Sequence, residues 1–275
     1  MHMITRRSSW QIMMASIYAL VFRNFEQRFI MDSSRKRALD LLRIFIEPIG
    51  HILLWVAIRA VRYHAMVDGG LNPTLFILIG VVGWLLSFNF LSDCLGIIKD
   101  SRSLFYFRQI KPLDPVIALW CTECITICLV FCTGLATLSF MNIDWQIAYL
   151  GRFIAAIFVY QLFLLGLGFL FAVMGFFSKM LLRFFRVVIR FFYLFSGIFY
   201  SIQTLSPSYR QYFEYNPLFQ CIQIARESFL SQMNYSNQFG DLLYLTESSL
   251  FVFCVGLSTY VLCRHKMMVE ITERQ

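Results

Sequence analysis

Charge is scarce in this chain. Only 15% of its 275 residues are Asp, Glu, Lys or Arg, against 59% hydrophobic. A soluble domain carries roughly 25% charge, so too little is present here to cover a water-facing surface of this size. The shortage excludes a cytosolic enzyme, a disordered chain and a small disulfide scaffold. Several chemical signatures are missing too. There is no G-x-x-x-x-G-K-[ST] loop to cradle phosphates, and no His-Glu-x-x-His pair for zinc. No G-x-S-x-G nucleophile elbow occurs. The short alternating segments of a transmembrane β-barrel are absent as well.

What is present is apolar and aromatic. Phe accounts for 30 residues, Tyr for 13, Met for 12 and Trp for 5, and the mean hydropathy is +0.65. The pattern predicts an all-α polytopic membrane protein. A spanning helix needs about 20 mostly apolar residues. Six stretches qualify, near 41–60, 74–95, 115–139, 147–177, 185–202 and 242–263. The whole chain, 1–275, reads as one transmembrane domain.

The net charge of +8 invites a nucleic-acid reading, but the placement of the cations favours topology. Eight Lys and Arg precede the first span, from Arg6 to Arg43. Lys99, Arg102, Arg108 and Lys111 lie between the second and third. Lys179, Arg183, Arg186 and Arg190 flank the fifth, and Arg264, Lys266 and Arg274 follow the sixth. Only Arg59, Arg62, Arg152, Arg210 and Arg226 fall on the other side. Basic residues mark the cytoplasmic face, so both termini are expected there, with no nucleic acid as partner.

Arg6-Arg7 ahead of an apolar run resembles a signal peptide or twin-arginine leader. The run leads into Arg23-Asn24-Phe25-Glu26 rather than a small-residue cleavage site. Helical phasing puts Trp10, Met13, Met14, Ile17, Leu20 and Val21 on one face. Gln11, Ala15, Ala19, Arg23 and Glu26 fall on another. This predicts an amphipathic interface helix over 9–30. Between the fifth and sixth spans, 203–240 contains Pro207 and Pro217. Tyr209–Tyr215 and Leu218–Leu230 are too short or too polar to span. They predict short outer or re-entrant helices held against protein or a wet cavity.

Polar residues inside the spans are the candidate functional groups, because a charge near the bilayer centre costs on the order of 3 kcal/mol. In the first span Arg43, Glu47, His51, Trp55 and Arg59 recur every four residues, a ridge along one helix side. One reading is a hydrated path. The other has both arginines snorkelling to the interfaces and Glu47 pairing with Arg43. In the fifth, Arg183, Arg186 and Arg190 are continued by Tyr193, Gly197 and Tyr200. Guanidinium groups pair with carboxylates and ring faces stack on sugars, which suits an anionic sugar polymer; simple positive-inside flanking is the alternative. Glu123 is expected to pair within the bundle. Cys121, Cys124, Cys128 and Cys132 form one helical stripe. One helix cannot wrap four thiolates around an ion, so the stripe predicts a helix seam and no metal site. The inner loop 96–115 is basic and aromatic, which predicts either a docking surface for a cytoplasmic partner or a membrane-hugging loop.

Four local patterns, in order, resemble the ABC-2 type permeases that export capsular polysaccharide across the Gram-negative inner membrane. They are Glu47-Pro48, Leu104-Phe105-Tyr106-Phe107-Arg108-Gln109-Ile110-Lys111-Pro112-Leu113-Asp114, Ser196-Gly197-Ile198-Phe199-Tyr200-Ser201, and Asn216-Pro217-Leu218 with Arg226-Glu227. The resemblance implies a homodimeric, non-catalytic transport subunit with no cofactor of its own. ATP and Mg would sit on two separate cytoplasmic ABC ATP-binding subunits, with a periplasmic adaptor and an outer-membrane polysaccharide channel as further partners. It implies a conduit lined by Glu47, His51, Trp55, Arg59, Arg190, Tyr193 and Tyr200. Coupling to the ATPase would run through Arg23, Glu26, Arg102, Phe105, Tyr106, Arg108 and Lys111. Asn216, Pro217, Arg226 and Glu227 would form an outer-helix signature. Arg43 stands where such permeases often have Trp, and Gln223 where an acidic residue is usual. The rival readings are an ABC-2 exporter of O-antigen, teichoic acid, lipid or drug, and a non-transporting membrane scaffold.

Overall fold

A computed structural model describes residues 9–29, 50, 71–107, 109–192, 196–198, 206–230 and 240–273. Among the described residues the chain forms nine α-helices and one 3-10 turn, with no strand. Four helices are long and apolar enough to cross a membrane, as a multi-pass membrane protein requires. They are α2 (Pro73–Cys94), α4 (Leu113–Phe140), α5 (Leu150–Phe177) and α9 (Leu242–Glu273), in the stretches read as the second, third, fourth and sixth spans. The first span, apart from Gly50, lies outside the described residues.

In the stretch read as the fifth span, over 185–202, the described helix is α6, Lys179–Phe192. Beyond it Ser196–Ile198 bend, with Gly197 at a φ of 73°. That left-handed conformation suits glycine and does not continue a helix.

The central helix is α2. Asn72 caps it, its Oδ1 accepting from the Thr74 N–H at 2.9 Å, and Pro73 fits the first turn, where no donor is needed. Leu75, Phe76, Ile77, Leu78 and Ile79 are all buried, as in a helix apolar all round. It packs on α4, α5 and a later short helix, α8 (Pro217–Glu227). Among the described residues the most extensive seam joins α5 to α9. A Cβ on Gly166 would strike the Phe253 backbone, and one on Gly256 the Gly166 carbonyl. Small residues there let two backbones approach, the usual device where lipid supplies no hydrophobic drive between helices.

α1 (Ser9–Phe29) packs along α4. Leu20 is its buried centre, while Trp10, Met14, Tyr18 and Phe22, spaced by four, stand exposed. Of the apolar face expected on this helix, Leu20 meets α4, while Trp10 and Met14 face away from the bundle. The cysteine stripe is corrected in part. Cys121 and Cys124 are half-buried and Cys128, though exposed, borders an interhelical cavity with Phe131 and Tyr160, whereas Cys132 is exposed.

Two further pieces close the ends. α3 (Ile97–Asp100) and the 3-10 turn Arg102–Tyr106 connect α2 to α4. At the other end lie α7 (Pro207–Glu214) and α8 (Pro217–Glu227), each opened by proline. Every residue of α8 from Leu218 to Glu227 is buried.

Candidate functional site

A short buried helix carrying Gln220, Gln223, Arg226 and Glu227 must find partners for every polar group, since burial without them costs several kcal/mol. α8 finds them. Asn216 caps it, Oδ1 accepting from the Leu218 N–H at 3.1 Å, and Pro217 fills its first position. Gln220 donates from Nε2 to the Glu214 carbonyl at 2.8 Å and accepts at Oε1 from the Asp241 N–H at 2.8 Å. The helix is thereby tied to α7 behind it and to α9 ahead.

Arg226 is the centre of the arrangement, at 2% exposure. Its Nε and Nη2 donate to the Phe76 carbonyl at 3.3 and 3.0 Å. Nη1 donates to the Gly197 carbonyl at 2.8 Å, and Nη2 also to that of Ile198 at 3.0 Å. The guanidinium carbon lies 3.3 Å from the centroid of the Phe76 ring, so the cation is also held by a π face. A planar fork of five N–H donors reaches several carbonyls at once, which an ammonium cannot do. Glycines make the space: a Cβ on Gly80 would lie 2.7 Å from Nη2. The bend at Gly197 turns its carbonyl onto Arg226.

Glu227 occupies the neighbouring position. It pairs with Arg152 Nη2 at 3.0 Å and accepts from Gln223 Nε2 at 3.2 Å and the Gly240 N–H at 3.0 Å. Arg152 donates also to the Gly240 carbonyl at 2.8 Å, and the Tyr149 N–H to the Ser228 carbonyl at 3.1 Å. This network joins the starts of α5 and α9 to the end of α8. It is a largely buried clamp, with the Arg152 side chain 21% exposed against 5% for Glu227.

The candidate coupling residues lie on other elements. Phe105 is buried, whereas Tyr106 and Phe107 are 67% and 63% exposed. Phe105 packs into the core, which leaves Tyr106 and Phe107 as the exposed aromatics of this loop. Lys99 anchors the segment, donating from Nζ to the Gly175 carbonyl at 2.7 Å. Arg102 is half-buried and Lys111 exposed; the Lys111 N–H donates to Asp114 Oδ2 at 2.9 Å. On α1, Glu26 is exposed and Arg23 half-buried. Partial burial pulls the Arg23 pKa below its ordinary value, yet it stays a cation at neutral pH.

The chain resembles two known proteins along nearly its whole length. Two Escherichia coli proteins, each named polysialic acid transport protein KpsM, are 23% identical to it over 92% of this chain and 95% of theirs. No family model matches.

Of the sequence-predicted conduit, Glu47, His51, Trp55, Arg59, Tyr193 and Tyr200 lie outside the described residues, as does Arg108 of the coupling set. Arg190 belongs to α6 by its backbone. What the fold does bring together is Gly197 with Arg226, and Asn216 and Pro217 with the helix they start. Arg152 and Phe76 were missed. An arginine two residues inside an apolar helix was the available signal for Arg152, because such a charge needs a partner. Phe76 carried none, since its carbonyl and ring become a receptor only through the approach of α8. A separate apolar cavity of about 290 Å³ lies between α2, α4, α5 and α8, with Cys124, Phe131, Tyr160 and Ile222 on its walls. Among the described residues no group of His, Cys, Asp and Glu is arranged to hold a metal.

Proposed function

We propose that this chain is the membrane permease subunit of a polysaccharide exporter of the ABC-2 type. The similarity to the two KpsM proteins over nearly the whole length carries the reading. The polytopic helical bundle and the lack of a phosphate-binding loop in the sequence support it.

In this reading the subunit works as a homodimer in the bacterial inner membrane, both termini cytoplasmic. Two cytoplasmic ATP-binding subunits hydrolyse ATP with Mg, and this chain is not an enzyme. Closure of those subunits pushes on Tyr106, Arg108 and Lys111 and on the α1 residues Arg23 and Glu26. Arg102 and Phe105 seat the same segment. The push tilts the first and fifth spans. Capsular polysaccharide then moves to the periplasm past Glu47, His51, Trp55, Arg59, Arg190, Tyr193 and Tyr200. Contacts along such a path must be weak and repeated, because one tight site stalls transport. A periplasmic adaptor and an outer-membrane channel receive the polymer.

Deletion of the gene in its own bacterium tests the reading. The expected result is polymer trapped in the cytoplasm while its synthesis continues, with export restored by the intact gene. Arrest of synthesis itself, or normal surface polysaccharide, would overturn it.

A further inference from the structure

At the end of the bundle opposite Arg226, α9 and the start of α4 enclose a second cavity, about 310 Å³ in volume. Three cationic or titratable side chains line it, Lys111, Arg264 and His265, over a floor that includes Pro112, Tyr260 and Met268. The three basic side chains are exposed, whereas Tyr260 is buried.

The position of this cavity along the membrane normal follows from helix lengths. The stretch of α9 that ends at Cys263 carries one charge, Glu247. From Leu242 it spans roughly 33 Å at 1.5 Å per residue, close to the ~30 Å of a hydrocarbon core. Arg264 and His265 therefore emerge where hydrocarbon gives way to headgroups. Lys111 precedes α4 by two residues and meets them at the same depth.

Cations above an apolar floor at headgroup level match one chemistry, a phosphodiester joined to an acyl glycerol. The phosphate oxygens accept from the lysine and arginine, and the glycerol and first methylenes rest on the methionine and the tyrosine ring. One carboxylate offsets part of the field: buried Asp114 takes the Lys111 N–H. Glu270 follows on the next turns of α9. Lys266 does not line the cavity; its Nζ stands 5.5 Å from the Phe177 ring centroid. Basic pockets between membrane helices commonly take anionic headgroups.

We propose that Lys111, Arg264 and His265 form a binding site for the phosphate of an anionic phospholipid headgroup. The site would tie the end of α9 to the segment that leads into α4. It rests on the membrane embedding alone, so it stands whatever the exported substrate is.

The test uses the full-length protein purified in detergent, with native mass spectrometry and thermal melting as readouts. The ligands are phosphatidylglycerol, phosphatidylcholine with the same acyl chains, and inorganic phosphate. Phosphatidylglycerol is expected to bind and raise the melting temperature, with phosphatidylcholine and phosphate giving no comparable shift. Lys111→Gln with Arg264→Gln, which keeps side-chain bulk, should weaken phosphatidylglycerol binding about tenfold. Lys266→Gln should leave it unchanged. Equal protection by inorganic phosphate would make this a free-anion site and overturn the lipid assignment. Equal weakening by Lys266→Gln would reduce the effect to diffuse surface charge and overturn the site. Unchanged binding in the double variant would overturn it as well. Should that variant fail to fold, the single Arg264→Gln, read by the ratio of bound phosphatidylglycerol to phosphatidylcholine, decides between the same outcomes.

Discussion

The two ends of this helical bundle use arginine in opposite ways. At one end Arg226 is sealed in the protein and shared among three carbonyls and a ring. Arg152 beside it is committed to Glu227 and Gly240. At the other end Lys111 and Arg264 are exposed around an open cavity. The same chemical group is a structural clamp where its partners are backbone atoms of the chain, and a receptor where its partner must come from outside. The contrast tells which substitutions should unfold the bundle and which should alter only what it binds or moves.

The largest effect is expected from Arg226→Ala. It strands the carbonyls of Phe76, Gly197 and Ile198 in a dry site, and removing one partner of a buried charged network costs about 3–5 kcal/mol. Little folded protein should accumulate in the membrane, and the residue should melt far lower in detergent. Arg226→Lys should recover only part, because one ammonium cannot serve the three carbonyls. Wild-type melting in the alanine variant would mean that the clamp is ornamental and the contrast between the ends false.

Glu227→Gln and Arg152→Ala come next. A double-mutant cycle on melting should return a coupling of roughly 0.5–3 kcal/mol. Arg152 retains 21% side-chain exposure against 5% for Glu227, so the value belongs toward the low end. Additive effects would show that the pair does no joint work. Asn216→Ala removes one cap bond and should cost about 1 kcal/mol. That is detectable as a modest drop in melting temperature; a drop as large as that of Arg226→Ala would show the clamp to depend on how α8 starts.

At the exposed end, Tyr106→Ala with Phe107→Ala should change stability by no more than about 0.5 kcal/mol, as exposed positions usually do. In the proposed transport reading, however, export should fall sharply at matched protein levels. Measuring surface polymer beside melting temperature separates the two effects. Lost stability together with lost export would merge the ends into one structural class.

Much of this was legible from residue order. The long apolar runs around Val82, Ile127, Leu164 and Val255 announce helices because no soluble surface can be made from them. Pro217 after Asn216 marks a helix start by its chemistry. Arg226 and Glu227 were recognisable as a pattern, but not as a clamp. Their partners, Phe76 and Arg152, lie 150 and 75 residues away, and no local rule links such distances. Phe105 and Tyr106 are adjacent aromatics of similar size, yet one is buried and the other exposed. The 3-10 turn that carries them faces the core on one side only, and composition is blind to sides.

Composition and order alone dictate that this chain lives among lipids and builds helices. The reason is energetic: transfer free energies and dipeptide sterics act residue by residue and need no neighbours. Whether a given cation is clamped or available is a different matter. It depends on which carbonyls, rings and glycines the packing delivers within about 3 Å of it, and those come from remote parts of the chain. Arg226 and Arg264 are the same side chain, and their separate fates are settled by what the fold lays against each.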